Sequence, residues 1–130
     1  MEKLNLKYKD AKRAIETLQD ILTEPFSIIV RDAAIQRFEY TFEALWKFLK
    51  EYLRVKEGII SNSPKGCFRE VFALGFLTED ETVNCLEMTD RRNETSHTYK
   101  EEVAQIIYSK IKEEYFELMK SLLNKFENKI

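Results

Sequence analysis

Apolar residues in this chain recur at alternating steps of four and three, and that period restricts the fold more than any other feature. Leu4, Tyr8, Ala11, Ile15, Leu18 and Leu22 mark one such stripe, with charged residues between them. Phe38, Phe42, Leu45, Leu49 and Tyr52 mark a second, and Val103, Ile107, Ile111, Leu118, Leu122 and Phe126 a third. A strand requires a period of two, so these stretches read as amphipathic helices. Only three glycines and two prolines interrupt 130 residues, of which 44% are hydrophobic and 34% charged. That balance favours a surface-charged helical protein over a turn-rich sandwich or barrel. One domain over residues 1–130 is expected, since the length supports one core and is short for two.

Local signals divide the chain into five helical segments. The first ends near Pro25, and the second runs from about Phe26 to Glu57, with Gly58 as its stop. Ser63 and Pro64 supply a cap and a first helical residue for a short third helix, with Phe68, Val71 and Phe72 inward and Gly75 near its end. Thr78-Glu79-Asp80-Glu81 and Thr98-Tyr99-Lys100-Glu101 each have the form of a capping box. They bracket a fourth helix at about Glu79–Ser96 and open a fifth at about Tyr99–Phe126. An all-α antiparallel four-helix bundle with one short additional helix follows. Ile35, Trp46 and Leu53 lie on one edge of the second stripe and Phe48 on the other, widening its arc to about 160°. Such an arc requires either several neighbours within one bundle or a second subunit.

The net charge of −2 provides no global field to draw the chain onto nucleic acid, so any phosphate site must be local. The N-terminus has no apolar signal core and no run approaches a membrane span, so a cytoplasmic protein without membrane association is expected. Cys67 and Cys85 read as ordinary core thiols. No metal-ligand spacing, glycine-rich phosphate loop or nucleophile elbow is present, and neither metal nor cofactor is expected.

Chemistry concentrates in Arg91-Arg92-Asn93-Glu94-Thr95-Ser96-His97-Thr98-Tyr99-Lys100, which contains the only histidine. Arginine grips phosphate through a planar fork of donors, and histidine exchanges a proton near neutral pH. Arg91, Arg92 and Lys100 are candidate phosphate ligands; Arg92, Asn93 and His97 could serve metal-independent phosphodiester cleavage as clamp, orienter and base. Thr95 and Ser96 suit local backbone bonding better than nucleophilic attack. If both capping boxes form, Arg92 lies in the last turns of the fourth helix while His97 and Tyr99 sit at a corner. If the helix continues instead, His97 lies about 140° from Arg92. Neither geometry makes the two converge within one chain, which favours a homodimer or higher even-numbered oligomer.

The string Arg-Asn-x-Thr-Ser-His-Thr-Tyr, Arg92 to Tyr99, resembles the signature of the HEPN superfamily, and within it the nucleotidyltransferase substrate-binding proteins. The resemblance extends over most of the chain and implies the same helical bundle. It also implies a small nucleotidyltransferase as partner and nucleotide or RNA as ligand. Two roles are open. One is a non-catalytic accessory subunit that binds nucleotide or substrate for that transferase. The other is a metal-independent endoribonuclease toxin with a cleft shared between two subunits, restrained by its partner through nucleotidylation of Tyr99.

Overall fold

The computed structural model describes residues 2–130, and every regular element among them is helical. Helix α1 (Glu2–Leu22) turns back into α2 (Ile28–Tyr52), which runs on through a π-helical turn, Leu53–Glu57. Helix α3 (Pro64–Ala73) is short, and α4 (Glu79–Glu94) follows. A 3₁₀ turn, Thr95–His97, leads to α5 (Glu101–Lys110); a second π-helical turn, Ile111–Tyr115, joins it to α6 (Phe116–Asn124) as one rod.

Side-chain pairs fix the directions. Arg37 bonds the Thr17 carbonyl, and Tyr8 meets Phe48, so α1 and α2 are antiparallel. Tyr115 meets Glu87 and Lys125 meets Glu81, so α4 opposes the α5–α6 rod; Phe38 meets Tyr115 and Phe48 meets Phe126, so the rod runs parallel to α2, which α4 therefore also opposes. The four long elements therefore form the expected antiparallel bundle, with α3 as the short addition.

The ends of these helices follow from capping chemistry. Ser27 accepts from Val30 N at 3.0 Å, and Ser63 accepts from Gly66 N at 3.0 Å with Pro64 in the first turn. A Cβ at position 66 would sit 2.7 Å from Ser61 Oγ and 2.8 Å from Ser63 Oγ, so glycine is needed there. Gly58 and Gly75 take φ of 68° and 89°, a left-handed conformation costly to other residues. The Thr78 box is complete: Glu81 N donates to Thr78 Oγ1 and Thr78 N to Glu81 Oε1.

The second expected box does not form. Helix α5 starts at Glu101 after an extended Lys100, and no side chain caps it. Glu101 is taken by Arg31, a 3% exposed guanidinium that donates to its two carboxylate oxygens at 2.7 and 3.2 Å. A bidentate ion pair outcompetes a single cap bond and ties the start of α2 to the start of α5. Phe72 is also corrected: it is 41% exposed, while Cys67 is fully buried beside Phe68 and Val71. In the rod, the π turn advances the buried stripe, so Tyr115 and Met119 are buried and Leu118 only half-buried.

The broad arc of α2 is covered by the chain itself. Ile35, Phe38, Phe42, Phe48, Leu49 and Leu53 are all buried, and Trp46 is half-buried. Phe38 stacks on Tyr115, Phe42 meets Phe68, and Phe48 meets Phe126 edge-on. Both cysteines are buried free thiols, with Cys85 pushed up to about 12 by desolvation. Among the described residues no helix is long and apolar enough to cross a membrane.

Two stability measurements check this arrangement. Thr78→Ala is expected to destabilise by about 1 kcal/mol in urea unfolding, and Thr98→Ala by less than half as much, because only the first threonine caps a helix. Stability is also expected to fall as pH drops through the carboxylate range. The Arg54 hydrogen bond holds Glu51 below its ordinary value, and the Thr78 backbone bond does so for Glu81. A folded-state pKa below the unfolded one gives stability that is present above the unfolded value, about 4.3. That stability is lost as pH falls through the folded value, so the urea midpoint should fall on acidification, less steeply in Glu81→Gln.

Candidate functional site

Helix α4 stops where three hydroxyl side chains bond backward. Thr95 Oγ1 lies 2.7 Å from the Arg92 carbonyl, Ser96 Oγ bonds the Asn93 carbonyl at 3.4 Å, and Thr98 Oγ1 bonds the Thr95 carbonyl at 3.1 Å. These bonds tighten the chain into the 3₁₀ turn and give it a corner before α5. Thr95 and Ser96 thus do the local backbone bonding expected of them.

The corner presents its polar groups in two directions. Asn93, His97, Tyr99 and Lys100 are exposed, Tyr99 to 76%. The Tyr99 ring stands edge-on to His97 at 6.1 Å between centroids, and Lys100 Nζ is 5.9 Å from the Tyr99 ring. Arg92, by contrast, turns onto α2. Its Nη1 is 3.3 Å from Glu39 Oε2 and donates to Thr95 Oγ1 at 2.9 Å, and its Nη2 is 3.5 Å from Glu43 Oε1. Thr95 Oγ1 also lies 3.0 Å from Glu39 Oε2, a second acceptor for the one hydroxyl proton that the Arg92 carbonyl can take at 2.7 Å. Arg92 Nε is buried without a partner.

Arg91 leaves on a different bearing, as successive helical residues diverge by about 100°. It is paired with Glu94, whose hydrogen bond raises its pKa, and it faces Tyr115 and Glu87. Tyr115 donates to Glu87 at 2.9 Å, and burial lifts its phenol above the ordinary range. The structure therefore brings His97, Tyr99 and Lys100 together and holds Arg92 on α2, while Arg91 joins a separate network.

The α2 wall was not anticipated. Asp32, Ile35, Gln36 and Glu39 line a cleft of about 280 Å³ with Thr98 and Tyr99. Gln36 and Glu39 continue into a second groove with Tyr40, Glu43 and Arg92. Asp32, Gln36, Glu39 and Glu43 are spaced four, three and four apart on the outer side of α2. That spacing is visible in the sequence, but nothing there distinguishes it from an ordinary solvated face. The carboxylates partly neutralise Arg92, and with all three side chains partly exposed such pairs are worth about 1 kcal/mol or less each. A phosphate could displace them.

Comparison with known proteins gives this corner its context. The family described as nucleotidyltransferase substrate binding protein like matches residues 6–128. The chain belongs to this family. A crystal structure of a protein from Thermus thermophilus is similar to this family member at a TM-score of 0.86 and 44% identity, covering 91% of this chain and 99% of that one. No curated protein matches the chain.

Chemical access tests the geometry. Limited nitration with tetranitromethane is expected to label Tyr99 ahead of the other tyrosines. Tyr40 is 43% exposed, with its hydroxyl 2.7 Å from Thr17 Oγ1, and should follow; Tyr115 is buried and should be spared. Peptide mass mapping reads the order.

Proposed function

We propose that the chain is a non-catalytic accessory subunit that partners a small, separate nucleotidyltransferase and offers the Arg92-Asn93-x3-His97-x-Tyr99 corner to a nucleotide or RNA phosphate. The observation that carries this reading is the unequal engagement of the corner's charged and polar groups, beside a cleft that Tyr99 shares with Gln36 and Glu39. His97, Tyr99 and Lys100 are exposed, whereas Arg92 is held by Glu39 and Glu43. A phosphate that enters between them would draw Arg92 off its carboxylates and meet Lys100 from the other side. Binding of this kind needs no chemistry from the subunit itself. Family membership supports the partner, since the family's description refers to a nucleotidyltransferase.

The same end of the bundle offers contact surface. Phe26 is 56% exposed against Tyr108, and Ile28 and Ile29 project from the first turn of α2, whose Arg31 is clamped to Glu101. A protein that reads the corner from solvent would meet these residues too.

The alternative, a metal-independent endoribonuclease toxin, requires Arg92 and His97 to act on one phosphate. Arg92 is held on α2 by Glu39, Glu43 and Thr95 while His97 is exposed, so that reading calls for Arg92 to leave its carboxylates or for a homodimer or larger even-numbered assembly in which two copies share a cleft. The covered face of α2 does not call for such an assembly; only the corner does.

The deciding experiment combines the chain with the small nucleotidyltransferase, ATP and magnesium, followed by size exclusion and intact mass, with Tyr99→Phe in parallel. A stable complex without an adduct is expected. Arg92→Ala should weaken nucleotide affinity by about tenfold or more, and Glu39→Gln should strengthen it several-fold by removing a competing carboxylate. RNA cleavage in chelator that disappears in His97→Ala, or a nucleotide adduct on Tyr99, would favour the toxin. Absence of any complex would defeat both readings.

A further inference from the structure

On the α1–α2 seam, away from the corner, four lysines surround the chain's only tryptophan. Lys3 and Lys7 of α1 and Lys47 and Lys50 of α2 line a cleft of about 260 Å³ with Trp46 and Glu51. Lys3 and Lys7 are four apart and Lys47 and Lys50 three apart, so each pair shares a helix face, where like charges repel. Among the described residues, Lys3 alone of the four has a carboxylate within 4.0 Å, Glu51 Oε1 at 3.9 Å. Glu51 is already committed, with Arg54 Nη2 at 2.7 Å and Arg54 Nε at 3.1 Å. Ammonium groups gathered from two helices without matching carboxylates are an arrangement that an anion relieves.

Trp46 narrows the class of anion. It is half-buried, its Nε1 donates to Glu43 Oε2 at 2.9 Å, and Lys50 Nζ sits over its ring, 5.9 Å from the centroid, where a stacked base would displace it. The indole is thereby fixed in orientation beside the lysines. A fixed aromatic face next to several cations suits a base attached to a chain of phosphates. A single phosphate would use only part of the charge.

We propose that this cleft is a nucleoside-triphosphate site, separate from the corner, in which Lys3, Lys7, Lys47 and Lys50 hold the phosphates and Trp46 stacks on the base. The triphosphate of a free nucleotide and that at the 5′ end of an RNA present the same chemistry to these residues. Glu43 lies between the two sites, since its carboxylate accepts from Trp46 and is 3.5 Å from Arg92.

Because Trp46 is the sole tryptophan, its fluorescence reports on the cleft directly. The test titrates the full chain with ATP, excited at the red edge of indole absorption to limit nucleotide interference. Inorganic tripolyphosphate serves as a competitor, and adenosine and a single-stranded oligonucleotide lacking a 5′-triphosphate as further probes. Saturable quenching by ATP is expected, reversed by tripolyphosphate and absent with adenosine. Lys47→Glu and Lys50→Glu should each weaken ATP by about tenfold or more, as expected for loss of a charge-assisted phosphate contact. Lys112→Glu, the same charge change on the distant rod, should leave affinity unchanged, and circular dichroism of each variant confirms that it is folded. A 5′-triphosphorylated oligonucleotide that binds as ATP does would identify RNA ends as a source. Several results would overturn the proposal. One is quenching that never saturates or is equal in all variants. Another is binding of the unphosphorylated oligonucleotide but not ATP, which would make the cleft a nucleic-acid backbone site. A signal abolished by Arg92→Ala but untouched by Lys47→Glu would place the phosphate at the corner instead.

Discussion

Burial of the aromatic and aliphatic face of α2 is the constraint on which the remaining structure depends. Phe38, Phe42, Phe48, Leu49 and Leu53 turn in several directions from one helix, and each must lose water to a different neighbour. Helix α1 covers one side, the α5–α6 rod another, and α3 with α4 fills the remainder. At about 1.5–3 kcal/mol for each large apolar side chain removed from water, this one helix organises much of the driving force for folding. The π turn at Ile111–Tyr115 belongs to the same solution. By advancing the register of the rod, it brings Tyr115 onto Phe38 and carries Phe126 to Phe48 and Tyr52.

With its inner face consumed, α2 has only its polar outer edge left for function, and the α4–α5 corner lies against that edge. Glu39 and Glu43 reach Arg92, and Thr95 bridges Arg92 to Glu39. The contrast with Arg31 is instructive. Arg31 is buried and bidentate, so losing Glu101 would leave a desolvated cation with Asp32 as its one remaining carboxylate, whereas the partly exposed Arg92 can exchange one anionic partner for another at small cost. One arginine on α2 holds the start of α5 in place; the other, on α4, rests on partly exposed carboxylates.

The fold was legible because helical periodicity reports burial, and burial dominates the energetics. The stripes at Leu4–Leu22 and Phe38–Tyr52 point inward as their spacing indicates, and Ser27, Ser63 and Thr78 cap helices through local bonds that need no tertiary partner. What the sequence concealed was long-range competition. Thr98-x-x-Glu101 has the same form as Thr78-x-x-Glu81, but Arg31, seventy residues before Glu101, claims its carboxylate. Phe72 and Leu118 fit the helical period, yet α3 lies at the margin of the core and the π turn shifts the register of α6. At the candidate site, the residues from Arg92 to Tyr99 could be picked out by chemistry alone. Their partners on α2 could not, since Glu39 and Glu43 look like any other surface carboxylates until the fold sets Arg92 between them.

Glu43 joins these two scales. It sits one turn before Trp46 and opposite Arg92, so a single carboxylate orients the indole of the lysine cleft and balances the guanidinium of the corner. Its two bonds differ in quality: the indole donates at 2.9 Å, within ordinary hydrogen-bond range, whereas Arg92 Nη2 stands at 3.5 Å, beyond it. Arg92 therefore rests mainly on Thr95 at 2.9 Å, with Glu39 next at 3.3 Å, and Glu43 mainly on Trp46. An anion arriving at the corner meets a guanidinium whose weaker carboxylate partner is already satisfied elsewhere. Displacing Arg92 from Glu43 leaves that carboxylate half-exposed and still hydrogen-bonded, which is why the arrangement can open on the corner side without disturbing the packing of α2 beneath it.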